Sequence, residues 1–363
     1  MNYLQSAQAL YEQMVRDRRH LHQHPEVGMD LPETCSYVMA RLTEMGYQPR
    51  RLGGGVTATL TGKPDGKVFL LRADMDALPM REESGLPFAS QRSCAHTCGH
   101  DMHTAMLLGA AQLLRDRAAE LNGTVKFMFQ PGEEVLSGAR SMIEAGILED
   151  PHVDAAMGAH MIPMIPAGLG GYGTGVVSAS SDHLVIRVEG RGGHGAHPQS
   201  TVDPINIGVH IHLALQELLS READPAELVV LTFGKFQGGD AANIIPSSAV
   251  LEGTLRTFSE PLRTHLLERI DTICTCTAEA FRGRAQVTDL CSTCSLQIDG
   301  DTAAAVAQGW QREGLKMLQR GEKMSGSEDF AEIAARVPST FFVVGGGTAQ
   351  DGCGVSLHNP KIR

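Results

Sequence analysis

No long basic stretch occurs in the 363 residues, and acidic residues outnumber basic ones 42 to 31, for a formal net charge of −11. A nucleic-acid partner, held by clustered Lys and Arg, is therefore not expected. There is no run of about 18 apolar residues, so no helical membrane span is expected. The opening, MNYLQSAQALYEQMVRDRRHLHQHPE, is charged and amphipathic and lacks the apolar region of a signal peptide. Internal repeats and low-complexity tracts are missing too. Eight cysteines are ordinary for this length, and a reducing cytoplasm is the expected compartment. What is present is 42% hydrophobic and 20% charged residues, the balance of a folded globular chain. Its length suits two domains.

The first half alternates strand-like and helix-like segments. Residues 4–24 repeat apolar positions at helical spacing and stop at Pro25. A second helix is expected from Pro32 to Gly46, with Pro at its start and Gly at its end. Strands are expected over 56–62 and 67–73, joined by a turn at Pro64-Asp65-Gly66. A long apolar helix over 102–116, a strand over 124–130, a helix near 137–145 and a strand over 153–160 follow. This alternation predicts an α/β domain with a mostly parallel sheet. Around 179 the texture changes to strands pairing by hairpins, with helices near 203–219 and 261–281. After about 293 the first texture returns. The expected organisation is a catalytic domain over 1–178 and 293–363, with an α+β domain over 179–292 inserted into it.

Polar residues cluster where strands end. Asp74 and Asp76 follow one strand, Glu133 and Glu134 another, and His160 ends a third. Ligands bind outside the carboxyl ends of strands in open α/β sheets. The densest cluster is His96-Thr97-Cys98-Gly99-His100-Asp101-Met102-His103. A thiol and imidazoles this close suit a borderline-soft divalent metal, and Gly99 lets the backbone turn so that Cys98 and His100 face one ion. The same span also reads as a polar loop with Asp101 capping a helix. Glu133 and Glu134 are adjacent, so they point in different directions; one suits a metal and the other a general base. Acids also favour a solvated helix start. His160 and His358 are each weak signals alone.

Two G-x-G-x-x-G stretches, 168–173 and 190–195, do not open a helix within a βαβ unit and carry no dinucleotide expectation. Cys274, Cys276, Cys291 and Cys294 lack a tetrahedral partner set for zinc. Cys98 as a nucleophile activated by His100 is an alternative to coordination.

Ten motifs in chain order resemble the dinuclear-metal aminoacylase and carboxypeptidase family. They are RRHLHQHPEVG, LRADMDALP, CGHDMHTAML, QPGEE, GAH, GRGGHGAHP, NIIP, GTLRTF, GSEDF and LHNPK. The resemblance spans nearly the whole chain, and its nearest branch holds hippurate hydrolases, N-acetyl-diaminopimelate deacetylases and auxin-conjugate hydrolases.

It implies a zinc-peptidase-like catalytic domain with an inserted lid and dimerisation domain. Two divalent ions, of zinc, manganese, cobalt or nickel, would be bound by Cys98, His100, Glu134, His160 and His358. Glu133 would be the general base that takes a proton from the attacking water and delivers it to the leaving nitrogen. Asp76 would orient the site. In carboxypeptidase-like cousins a metal-binding His stands at the position of Asp74; here Cys98 takes a ligand role, so Asp74 is not expected to bind metal. His194 would reach the partner subunit's site and stabilise the oxyanion, and Asn243 and Arg256 would hold a substrate carboxylate. The implied substrate is a small N-acyl amino acid or dipeptide, and the implied assembly a homodimer.

The chain departs from the pattern at Thr97, where Ala is common, and at its end. The family usually continues into a final helix, and loss of that helix is expected to expose apolar surface near His358. A catalytically silent binding protein on the same scaffold is the competing expectation.

Overall fold

The computed structural model describes residues 2–319, 321 and 323–363. Two compact units divide the chain: residues 1–177, 296–322 and 328–363 in one, and 178–295 with 323–327 in the other.

The first unit opens with helices α1 (Tyr3–Ala9) and α2 (Tyr11–Gln23), so the stretch expected as one helix is broken at Leu10. Helix α3 (Pro32–Glu44) starts at a proline, whose missing N–H costs nothing in a first turn. It buries Cys35, Val38 and Leu42 along one face, as a 3.6-residue period requires. Strands β1 (Arg50–Leu52), β2 (Gly55–Thr61) and β3 (Lys63–Asp74) follow. The expected turn at 64–66 does not form. The backbone runs on as β3, with a register shift between Lys63 and Val68, and β2 and β3 each pair with the strand Asn122–Gln130 instead of with one another.

Helix α4 (His100–Asp116), β4 (Asn122–Gln130), helix α5 (Gly138–Glu144), β5 (Ala155–Ile162) and β6 (Leu169–Tyr172) complete this stretch. With strands Lys316–Gln319 and Ser339–Gly345 they make an eight-stranded sheet. Its order is β1, β2, β4, β3, β5, Ser339–Gly345, β6, Lys316–Gln319. Four consecutive members, β4, β3, β5 and Ser339–Gly345, are mutually parallel. β4 is buried along nearly its whole length, as expected of a strand covered on both faces. Leu42, Val56, Leu60, Leu108, Phe127 and Phe129 meet in the core beside it. Each such side chain contributes about 1.5–3 kcal/mol by leaving water.

The second unit holds a four-stranded antiparallel sheet. Its order is Val229–Gly238, Ser248–Thr257, Ser181–Glu189, Arg284–Thr293. Only the first pair are successive strands of this sheet; Ser181–Glu189 lies between two strands that come later in the chain, so pairing is not by hairpins throughout. Ser248–Thr257 alternates strictly between buried and half-buried, the pattern of a sheet covered on one face. Helices α6 (Pro204–Glu217) and α7 (Glu260–Ala280) cover it, packing Ile207, Ile211, Leu266 and Ile270 on Leu184, Ile186, Leu251 and Leu255. Among the described residues no helix is long and apolar enough to cross a membrane.

Candidate metal centre

The parallel strands deliver their polar residues to one end of the sheet. β3 ends at Asp74, with Asp76 two residues beyond, and β4 ends at Gln130, before Glu133 and Glu134. His160 lies two residues inside the end of β5, not at its end, and pairs in register with Val343 of the neighbouring strand.

Cys98 and His100 come from the turn into α4. Gly99 has φ +90°, the left-handed region that glycine enters without strain, and it turns the two side chains to one side. Asp101 does not cap the helix. Its carboxylate accepts from His22 Nδ1 and Arg18 Nε, both at 2.8 Å, and these contacts tie α2 to the turn. His358 arrives from the far end of the chain. Its backbone N–H donates to the Thr97 carbonyl at 2.9 Å.

The side chains converge. Cys98 Sγ is 3.5 Å from His160 Nε2 and 3.3 Å from His358 Nε2. His358 Nε2 is 3.3 Å from Glu134 Oε1, and His100 Nε2 is 3.9 Å from both Glu133 Oε2 and Glu134 Oε1. Two ligands sharing one tetrahedral ion at about 2.0–2.3 Å lie roughly 3.3–3.8 Å apart, so this spacing fits shared ions. Among the described residues, five groups of side chains come close enough to share an ion; two of them, Cys98–His100–His160 and Cys98–Glu134–His358, have Cys98 in common, and the others are Asp74–His100–His103, His100–Glu133–Glu134 and Glu133–Glu328–Asp329.

Three further observations fit metal binding. Both ring nitrogens of His100 and Glu134 Oε1 are buried with no hydrogen-bond partner, which is rare unless a ligand completes them. Asp74, Asp76, Glu133, Glu328 and Asp329 are buried near Arg72, whose guanidinium pairs with Asp74, Glu328 and Asp329 but not with Asp76, Glu133 or Glu134. Buried carboxylates without a cation are costly. The ligand atoms are also poised. Burial pushes the His160 imidazole down to about 3, which keeps it neutral with a lone pair to offer. Burial also works against charge on Glu134, yet His358 and His100 hold it below the usual carboxylate range. Burial raises the Cys98 thiol, so a cation must displace its proton. His100 is drawn up despite its burial, by the Asp74 carboxylate and Cys98; a divalent ion would take over that charge.

Several of these candidate ligands are held from behind. Asp76 Oδ1 and Oδ2 accept the backbone N–H groups of Glu133 at 3.0 Å and Glu134 at 3.1 Å, and Asp76 Oδ1 faces His100 Nδ1 at 3.4 Å. His160 Nδ1–H donates to the Met161 carbonyl at 2.8 Å, which leaves Nε2 free on the Cys98 side. The Met161 N–H donates to His103 Nε2 at 2.8 Å, so His103 Nδ1 carries the proton given to Asp74 Oδ1 at 2.6 Å. Arg72 Nη1 donates to Asp74 Oδ2 at 2.7 Å. Asp74 is thus engaged on both oxygens. His103 sits in the densest polar cluster of the sequence but shows its role only through Asp74 and Met161, 29 and 58 residues away.

His194, Asn243 and Arg256 lie in the second unit. Ile244 pairs with His194, and the Asn243 carbonyl accepts from Gly195 N–H, so His194 and Asn243 are neighbours. Arg256 Nη1 donates to the Ser325 carbonyl at 3.2 Å. Cys274 is buried and Cys276 exposed on one helix, facing different ways.

A mostly parallel α/β sheet with a thiol, imidazoles and paired carboxylates gathered beside one end has the make-up of a metal-dependent hydrolase. The chain belongs to peptidase family M20/M25/M40, whose profile matches residues 70–363. It is 37% identical over 339 residues to an N-acetyl-L-cysteine deacetylase of Bacillus subtilis, covering 93% of this chain and 81% of that protein. It is 40% identical over 250 residues to an N-acyl-L-amino acid amidohydrolase of Geobacillus stearothermophilus, covering 68% and 67% of the two. A solved Bacillus subtilis structure, described as a dinuclear metal-binding peptidase of the M20 family, superposes with a TM-score of 0.81 at 33% identity. That match covers 98% of this chain and 93% of the other.

Proposed function

We propose that the chain hydrolyses the amide bond of small N-acyl amino acids, such as N-acetyl or N-benzoyl derivatives, and that dipeptides are secondary substrates. The observation that carries this reading is the Cys98 thiol shared between two candidate ligand groups, with the buried carboxyl of Glu133, which belongs to neither of these two, close by. The names of the two relatives support the acyl-amino-acid class. Two divalent ions bound by Cys98, His100, His160, Glu134 and His358 would polarise the carbonyl and acidify water from pKa 15.7 toward about 7. Zinc, manganese, cobalt and nickel all suit this ligand set.

Glu133 takes a proton from the attacking water and gives it to the leaving nitrogen. Burial and the Glu328 carboxylate raise its proton affinity, and cations bound beside it would oppose that rise, so that it can begin ionised. His194 donates to the oxyanion. Ala196 N–H donates to His194 Nδ1 at 3.1 Å, so the neutral ring carries its proton on Nε2, ready to be given. Asn243 and Arg256 hold the substrate carboxylate, Arg256 through its planar fork.

The second unit is taken as a lid and dimerisation domain. Val229–Gly238 is an edge strand ten residues long, and Val230, Phe236, Leu213 and Val209 are exposed on it and on α6. A long edge with apolar neighbours is a template for pairing, here with a second copy. A reducing, cytoplasmic setting is part of the same proposal.

The test is a hydrolysis screen over N-acetyl and N-benzoyl amino acids with each of the four metals. Activity is expected with at least one ion and lost on chelation. Turnover surviving complete metal removal would overturn the mechanism.

A further inference from the structure

Glu133 and Glu134 sit on a loop, residues 131–137, between β4 and α5. The loop closes tightly: Ser137 N–H and Gly138 N–H both donate to the Gly132 carbonyl, at 3.1 and 3.2 Å. A Cβ on Gly138 would fall 1.5 Å from the Pro131 carbonyl oxygen. Gly132 and Leu136 take left-handed φ values of +61° and +51°, and for Leu136 that is strained backbone. A loop of this kind needs anchors to hold two carboxylates in fixed places.

One anchor is Asp76, from within. The other grips both ends from outside. Gln130, the last residue of β4, donates Nε2 to both oxygens of Asp329 at 2.7 and 2.8 Å. Ala139, in the first turn of α5, donates its N–H to Asp329 Oδ2 at 3.0 Å. Arg72 ties the set together, with Nη2 on Asp329 Oδ1 at 2.8 Å and Nε on Gln130 Oε1 at 2.9 Å. Asp329 is fully buried, and carboxyl oxygens of Asp329, Glu328 and Glu133 stand within 4.8 Å of one another.

We propose that Asp329 is a positioning residue for amide cleavage: by clasping both ends of the 131–137 loop, it sets where the Glu133 and Glu134 carboxylates stand. The inference rests on the reading of Glu133 as base and Glu134 as ligand. Asp329 is not one of the five proposed ligands and acts through Gln130 and the Ala139 amide. In Asp329→Asn the new amide N–H₂ would face donors in either orientation: Arg72 Nη2 and Gln130 Nε2 in place of Oδ1, or Ala139 N–H and Gln130 Nε2 in place of Oδ2. Adding Gln130→Glu restores a donor–acceptor pair at unchanged net charge. The carboxylate it introduces would accept both from Arg72 Nε and from the side-chain amide of the first substitution.

The experiment uses the full chain, with cobalt(II) alone as the spectroscopic probe and an N-acyl amino acid for kinetics. Asp329→Asn is expected to stay folded by circular dichroism. It should lose kcat about 10–100-fold with KM changed by less than about 3-fold, the scale of losing an outer partner of a metal site. The visible cobalt(II) spectrum should shift or weaken. The Asp329→Asn/Gln130→Glu pair should recover most of both. Wild-type kcat and spectrum in Asp329→Asn overturn the inference, and so does a loss of kcat with an unchanged spectrum that the pair does not recover. If Asp329→Asn does not fold, the pair decides: a folded pair with wild-type spectrum and kcat supports the clasp, and a folded pair lacking them sinks it. A wild-type protein that binds no cobalt(II) overturns the functional reading and this inference with it; a wild type that binds it, beside an unaffected variant, overturns this inference alone.

Discussion

His358 Nε2 stands 3.3 Å from Cys98 Sγ although 260 residues separate them in the chain. The contact is built locally, because the His358 N–H binds the Thr97 carbonyl and its backbone is held at φ +59°. A non-glycine residue in that region persists only where its surroundings demand it, and such residues gather at functional sites.

The sharing of Cys98 makes metal content a graded test. His160→Ala and His358→Ala each remove a member of one ligand group, so each is expected to keep close to one of two bound ions. Cys98→Ala removes a member of both and is expected to keep less than one. Elemental analysis after dialysis reads the difference. Equal losses in all three variants would mean that Cys98 does not serve both groups.

Glu133→Gln should separate metal binding from turnover. The carboxyl sits 3.9 Å from His100 Nε2, but Glu134 supplies the oxygen beside Cys98 and His358. Both ions should remain while kcat falls about 10²–10⁴-fold, the usual worth of a positioned acid–base. A near-normal rate with full metal content would show that another group moves the proton.

Asp76→Ala is expected to act at a distance from the substrate. It leaves the N–H groups of Glu133 and Glu134 without their acceptor and frees the face of His100 toward Nδ1. Metal affinity should drop about 10–100-fold, as for other outer partners. Unsatisfied buried donors should cost about 1–3 kcal/mol of stability each. Competition against a chromogenic chelator measures the first effect and urea unfolding the second; unchanged affinity would leave Asp76 as a mere turn-former.

Part of this candidate centre was legible in sequence, because Cys98, His100, Glu133 and Glu134 carry local signals, whereas His160 and His358 stood out only through the family resemblance. Gly99 between Cys98 and His100 announced a hinge, and Glu133 and Glu134 followed a strand and a Pro-Gly turn. The supports behind them carry no such signal. Asp329 meets Gln130 across 199 residues, and His103 meets Asp74 through a tautomer that only the Met161 N–H determines. Pro64-Asp65-Gly66 has strong turn chemistry, yet β3 continues through it, and its register against β4 shifts between Lys63 and Val68. Leu10 breaks the first helix without a proline or glycine nearby, and apolar periodicity alone cannot place such a break.

His96 gives the clearest pH dependence. The ring is fully enclosed, both nitrogens lack partners, and burial pushes its pKa from 6.5 down to about 4. The folded protein therefore binds fewer protons at this site than the unfolded chain between about pH 4 and 6.5. Stability is complete above 6.5 and falls as pH drops through that window. At pH 5 the deficit is roughly 2 kcal/mol, at about 1.36 kcal/mol per pH unit. Nearby groups pull in other directions. His22, raised by Asp101 and Glu82 against its own burial, contributes stability at low pH that is lost as pH rises through its folded value. Asp101, depressed by Arg18 and His22 despite burial, contributes above the ordinary carboxylate range and loses it only in strong acid. Comparing wild type with His96→Phe cancels both, since the His22–Asp101 pair is left in place. Urea unfolding of chelator-treated protein should show the variant losing roughly 2 kcal/mol less than wild type between pH 7.5 and 5. Parallel stability curves would mean that His96 does not stay neutral in the fold.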